Sequence, residues 1–115
     1  DYFQGKSLLP ILSGNTKGTE HRQFVRSEYF DALDPHFTGG DGTYATMYRT
    51  RSHKLCVYHG KGVGELFDMK KDPWEHHNLW NDPDSTEIKN QLLAESFDAH
   101  VLLTTDVGSK RIAPM

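Results

Sequence analysis

The chain has 115 residues, a length that suits one small domain, with 36% hydrophobic residues and a formal net charge of −3. A mean hydropathy of −0.68 makes the core lean for a domain standing alone, and a pI near 6.1 argues against nucleic acid as the main partner, because phosphate binding needs a basic face. No apolar run approaches the roughly 18 residues of a membrane span, no signal peptide is visible, and a single cysteine, Cys56, excludes an internal disulfide framework.

Residues 1–4 read equally as the remnant of a protease site or as native sequence. Residues 1–22 are expected to be a linker: Gly5, Pro10, Gly14 and Gly18 punctuate it, and Leu8, Leu9, Ile11 and Leu12 supply an apolar group for docking. Residues 23–30 alternate as a strand, with Phe24, Arg26 and Glu28 on one face and Val25, Ser27 and Tyr29 on the other. Residues 31–42, rich in Asp, Gly and Pro, read as a loop. Residues 43–50 and 54–58 flank a short connection and predict a β-hairpin. After a second turn at residues 59–64, Glu65–Met69 predicts the fourth strand of a meander.

One helix follows. Asp84 stands as N-cap with Glu87 completing a capping box, Pro83 blocks an earlier start, and the helix is expected to end between His100 and Leu103. Its apolar positions are Ile88, Leu92, Leu93, Phe97 and Ala99. The expected architecture is α+β, a four-stranded antiparallel sheet packed against one C-terminal helix, with residues 23–103 as the folded unit and an extended tail over residues 104–115.

The run between the last strand and the helix, Asp72-Pro73-Trp74-Glu75-His76-His77-Asn78-Leu79, decides how much chemistry to expect. Adjacent histidines diverge in a strand and lie about 100° apart in a helix, so His76 and His77 do not form a ligand pair, and no other metal-ligand spacing is present. A structural turn fits better. Proline presets φ, Asp72 accepts backbone N–H groups, Asn78 bonds locally and Leu79 plugs the core, with Leu66, Phe67 and Trp74 as further core candidates. Cys56, between apolar neighbours in Leu55-Cys56-Val57, reads as a half-buried small side chain.

These residues carry a resemblance. Leu66-Phe67-Asp68-Met69, then Asp72-Pro73-Trp74-Glu75 and Asn78-Leu79, resembles a motif near the C-terminus of type I, formylglycine-dependent sulfatases of the alkaline-phosphatase-like superfamily. Gly5–Gly14 (GKSLLPILSG) resembles that family's G-x-S-L-x-P-x-L-x-G segment. Met47-Tyr48-Arg49-Thr50 with His53-Lys54 resembles its M-x-R-T-x-x-x-K hairpin, with one residue of slack.

The resemblance implies the C-terminal subdomain of a sulfuric ester hydrolase, packed on a larger catalytic domain and forming part of its substrate-pocket rim. The family uses formylglycine, made in a C-x-[PA]-S-R motif, and calcium. Cys56 is followed by Val57-Tyr58-His59-Gly60, so that motif is absent here, and no paired aspartates occur. The chain is therefore expected to have no catalytic residue and no metal ligand of its own, with the catalytic domain as its partner and a sulfated sugar or aryl sulfate as the whole enzyme's substrate. The resemblance is compatible with a periplasmic or secreted setting. Arg49, Lys54, His36 and Tyr44 are the candidate substrate-binding residues, since guanidinium and ammonium groups suit sulfate or carboxylate and irregular loops carry specificity. Solvated or paired strand charges are the competing reading of Arg49 and Lys54. Asp72, Pro73, Glu75, Asn78 and Leu79 are the structural turn. A stand-alone carbohydrate-binding or structural module is the alternative, its marker being an exposed aromatic row of Tyr44, Tyr48 and Tyr58.

Overall fold

A computed structural model describes residues 5–15, 17, 21–31 and 42–104, with side chains described to residue 102. One helical turn, α1 (Leu9–Leu12), is followed by β1 (Val25–Phe30), β2 (Tyr44–Arg49), β3 (His53–Tyr58) and β4 (Val63–Asp68). A 3-10 turn over Pro83–Ser85 leads into α2 (Thr86–Thr104). The sheet is antiparallel throughout, in the order β1-β2-β3-β4. Each strand pairs with its neighbours in sequence; the links from β2 to β3 and from β3 to β4 are short, as antiparallel neighbours allow, and that from β1 to β2 is longer.

The register decides which side chains share a face. Arg26, Tyr48, Leu55 and Leu66 lie in one row across the four strands. From this row Tyr48, Leu55 and Leu66 are buried and form the core cluster with Leu92 and Ala99 of α2. Phe24, Val57, Leu79, Trp80, Ile88 and Leu93 pack around it. Leu55 and Leu66 are fully enclosed, each contributing about 1.5–3 kcal/mol of burial. The opposite face carries the neighbouring row, Val25, Arg49, Lys54 and Phe67.

Several elements differ from the sequence expectation. Asp84 lies inside the 3-10 turn, whose N-cap is Asp82; Asp82 accepts the Asp84 amide at 3.2 Å and the Ser85 hydroxyl at 2.7 Å. Pro83 starts the 3-10 turn rather than blocking it, because a first-turn residue has no N–H to lose. Strand β4 begins at Val63, two residues before Glu65, and so includes Gly64. Gly60 and Gly62, at φ +75° and +70°, make the preceding turn. Two expected core residues lie outside: Trp74 is 80% exposed on the turn and Phe97 is 67% exposed on α2. The N-terminal segment, expected as an extended linker, carries the helical turn α1, and its Leu8, Leu9 and Leu12 are exposed. The tail beyond residue 104 and most of the loop at residues 31–42 lie outside the described residues.

Candidate functional site

The turn after β4 is built from its own backbone. Asp72 Oδ1 accepts the His76 amide at 3.0 Å and Oδ2 accepts the His77 amide at 2.8 Å. The His76 amide first, then that of His77, holds the Asp72 carboxyl below the usual aspartate range. Asp68 works in the same way at the strand end, accepting the Lys70 and Lys71 amides at 3.0 and 3.2 Å. Partial desolvation pushes its carboxyl up, but the Lys71 and Lys70 amides together outweigh that and lower it. Glu75 sits at φ +60°, a conformation that costs a non-glycine residue energy. In return its carboxylate forms an ion pair with Lys54, 21 residues earlier on β3.

Asn78 closes the turn onto the sheet. Its Oδ1 accepts the amides of Leu66 and Trp80, both at 3.0 Å, and its Nδ2 donates to the Gly64 carbonyl at 3.1 Å. The Leu79 amide donates to the Leu66 carbonyl at 2.8 Å, so residues 78–79 line the outer edge of β4. Leu79 then packs against the core cluster.

Arg49 and Lys54 are Cα partners across β2 and β3 and belong to the same face. Lys54 is half-buried, lies 5.5 Å from the Phe67 ring centroid and is neutralised by Glu75. Arg49 is exposed and its side chain has no ion pair or hydrogen bond among the described residues. Tyr44 sits at the other end of β2 and on the opposite face, against Phe30 at 6.1 Å between ring centroids. There it lines an apolar hollow of about 650 Å³ with Phe30, Val57, His59 and Phe97. His36 lies outside the described residues. The fold thus brings Arg49 and Lys54 together and places Tyr44 apart from them.

The aromatic row of the alternative reading does not form: Tyr48 is buried against Phe24, at 5.0 Å between centroids, while Tyr58 occupies the face opposite Tyr44 and donates to Glu65 at 2.9 Å. Sequence reasoning missed two features of the Arg49–Lys54 corner. The Lys54–Glu75 pair is long-range and leaves no local signal, whereas the outward position of Trp74 follows from its place at the tip of a proline turn.

Burial pushes the Cys56 thiol up, Lys54 opposes the shift and Glu65 adds to it, so Cys56 is not an activated nucleophile. Among the described residues no group of three or more His, Cys, Asp or Glu is arranged to hold a metal ion. This part of the chain does not fit a formylglycine or calcium site.

The described residues thus form an open antiparallel sheet backed by one helix, with its last strand locked by an Asp-Pro-x-Glu-x-x-Asn-Leu turn. Residues 1–100 match the family described as N-sulphoglucosamine sulphohydrolase, C-terminal, and the chain belongs to that family. It is 36% identical over 84 residues to a Delta 4,5-hexuronate-2-O-sulfatase of Bacteroides thetaiotaomicron, covering 73% of this chain and 16% of that protein. It is 33% identical over 93 residues to an uncharacterized protein of Haemophilus influenzae, covering 81% of this chain and 43% of that protein. Among solved structures, a putative sulfatase from Bacteroides thetaiotaomicron superposes with a TM-score of 0.74 at 29% identity, over 96% of this chain and 22% of that one. A 2-O GAG sulfatase gives 0.73 at 29%, with the same coverage. The chain therefore spans less than half the length of the curated relatives described here and about a fifth of these solved chains.

Proposed function

We propose that this chain is the C-terminal portion of a sulfuric ester hydrolase acting on sulfated saccharides, and that it is not catalytic alone. The observation that carries the proposal is the match of residues 1–100 to a sulfatase C-terminal family, in a chain that spans only 16–22% of its sulfatase relatives. The saccharide class is supported by the hexuronate 2-O-sulfatase and 2-O GAG sulfatase named above.

In this reading the formylglycine nucleophile and calcium belong to a catalytic domain, and the subdomain packs on that domain. Leu8, Leu9 and Leu12, all exposed on and before α1, supply the docking group. The partner of Arg49 in β1 is Val25, the first residue of that strand, so the chain enters the sheet at the end that carries Arg49. A catalytic domain docked on the entering segment would lie beside Arg49 and Lys54 and leave them at the pocket rim. Arg49 then meets an anionic group of the substrate, while Lys54, already paired with Glu75, shapes the rim. Tyr44 stands at the opposite end of β2, away from this rim.

Two measurements test this. The 115-residue chain, purified alone, is expected to leave aryl sulfates and sulfated disaccharides intact, and turnover above background would overturn the proposal. The full product of the encoding gene is expected to carry an upstream C-x-[PA]-S-R motif and to hydrolyse a sulfated saccharide. A product that cleaves a phosphonate monoester but no sulfate ester would place it elsewhere in the superfamily.

A further inference from the structure

The end of the sheet that carries Arg49 has a composition unlike the rest of the chain. Residues 49–54 and 68–77 contain five cations, Arg49, Arg51, Lys54, Lys70 and Lys71, against three carboxylates, Asp68, Asp72 and Glu75, within a chain of net charge −3. The two stretches are joined in space: the Met69 amide donates to the Ser52 carbonyl at 2.8 Å, and Lys54 pairs with Glu75.

Each of the three carboxylates is already committed. Asp68 holds the Lys70 and Lys71 amides and lies 3.7 Å from the Lys71 ammonium. Asp72 holds the His76 and His77 amides. Glu75 holds Lys54. Arg49, Arg51 and Lys70 are exposed, and their side chains have no ion pair or hydrogen bond among the described residues. The acids of this corner are spent on its architecture, and Arg49, Arg51 and Lys70 are left exposed.

Trp74 is the second, independent observation. It is 80% exposed, although an indole is the side chain that gains most from burial. It does not stand on a loose loop. Pro73 precedes it, Asp72 ties down the amides two and three positions after it, and Glu75, the next residue, is anchored to β3 through Lys54. A rigid aromatic plate costs little side-chain entropy when a ligand stacks on it. The other tryptophan, Trp80, is tucked against the core cluster, so exposure is particular to position 74.

We propose that Trp74, Arg49, Arg51 and Lys70 form a binding surface for a sulfated polysaccharide chain. The pyranose ring stacks on the Trp74 indole, and sulfate and carboxylate groups of neighbouring sugars meet the unpaired cations. Arg49 is the bidentate contact. Lys54 and Glu75 do not touch the ligand; they hold the turn that presents Trp74. The inference rests on the saccharide reading above and extends it from the cleaved residue to a stretch of polymer held beside the pocket.

The test is affinity electrophoresis of the full-length protein through gels containing heparin, chemically desulfated heparin or no polymer, with aryl sulfate turnover measured on the same preparations. Wild-type protein is expected to be retarded by heparin and not by the desulfated polymer. Trp74→Ala is expected to weaken binding about tenfold with an unchanged dependence on salt, and Trp74→Phe to recover most of the loss. Arg49→Ala is expected to lower the salt slope by roughly one. Unretarded wild-type protein, or equal retardation of wild type and Trp74→Ala, overturns the surface even if aryl sulfate turnover upholds the hydrolase reading. Equal retardation by duplex DNA shows an unselective polyanion patch and also overturns it. A Trp74→Ala protein that loses thermal stability while binding heparin normally shows that the indole is an inter-domain contact instead.

Discussion

The indole of Trp80 occupies the space that a side chain at Gly64 would need. A Cβ at position 64 would come within 2.4 Å of the Trp80 ring and 2.6 Å of the Cys56 carbonyl oxygen. The Lys89 ammonium lies 5.1 Å from the centroid of the same ring and donates to the Trp80 carbonyl at 2.6 Å, tying the notch in β4 to the first turn of α2. Gly64→Ala should therefore destabilise the fold by about 1–3 kcal/mol. Adding Trp80→Ala should not restore stability, because the clash with the Cys56 backbone remains. Urea unfolding of the single and double variants measures both, and an unchanged midpoint for Gly64→Ala refutes the account.

Asn78 makes three hydrogen bonds that no other side chain can reproduce, two accepted and one donated. Asn78→Ala leaves the Leu66 amide without its partner on a fully buried residue, and should cost on the order of 2 kcal/mol. Asn78→Asp keeps the acceptor and loses the donor to Gly64, so it should cost less. Equal losses for the two variants in chemical denaturation would contradict this division of roles.

Acid should loosen the turn before it unfolds the sheet. Asp72 has a folded pKa below its unfolded value, so its contribution is complete above about pH 3.9 and is lost as pH falls through the lower, folded value. Asp68 shifts in the same direction and adds to the same window. Amide resonances of His76 and His77, followed by NMR from pH 6 to pH 2, should move together with the Asp72 carboxyl midpoint. Asp72→Asn should abolish that midpoint and leave the Asp68 transition at Lys70 and Lys71. Midpoints at or above the ordinary aspartate value would contradict the geometry.

The Cys56 thiol should be slow. Burial and Glu65 favour its neutral form despite Lys54, so alkylation by iodoacetamide at pH 8 is expected to run at least about tenfold slower than for a small free thiol. Urea at unfolding concentration should restore the ordinary rate. A fast reaction in the folded state would mean that the β3 face opens more readily than its packing suggests.

The strands were legible because each alternates over five to eight residues between strong turn signals, and the short links after β2 and β3 favour neighbour pairing. The helix start was less so. Pro83 and Asp84 suit both a cap followed by α-helix and a 3-10 turn, and the Ser85 hydroxyl reaching Asp82 decides between them only in three dimensions. Trp74 shows the limit of treating an aromatic residue as core: in a proline turn the chain reverses, and one side chain must point away from the body. The Arg49–Lys54 juxtaposition follows from hairpin register, but nothing local tells that Glu75 neutralises one cation and leaves the other free.

The two borders of the sheet are finished differently. Along β4, residues 78–79 already occupy Gly64 and both backbone groups of Leu66, so a foreign strand finds few groups to bind there. Along β1, five of six residues are exposed and the described residues provide no covering segment. Amide hydrogen exchange should accordingly grade across the sheet, fastest in β1 and slowest in β3 and β4. Any growth of the sheet, by another segment or by a second molecule under stress, has its opening on the β1 side.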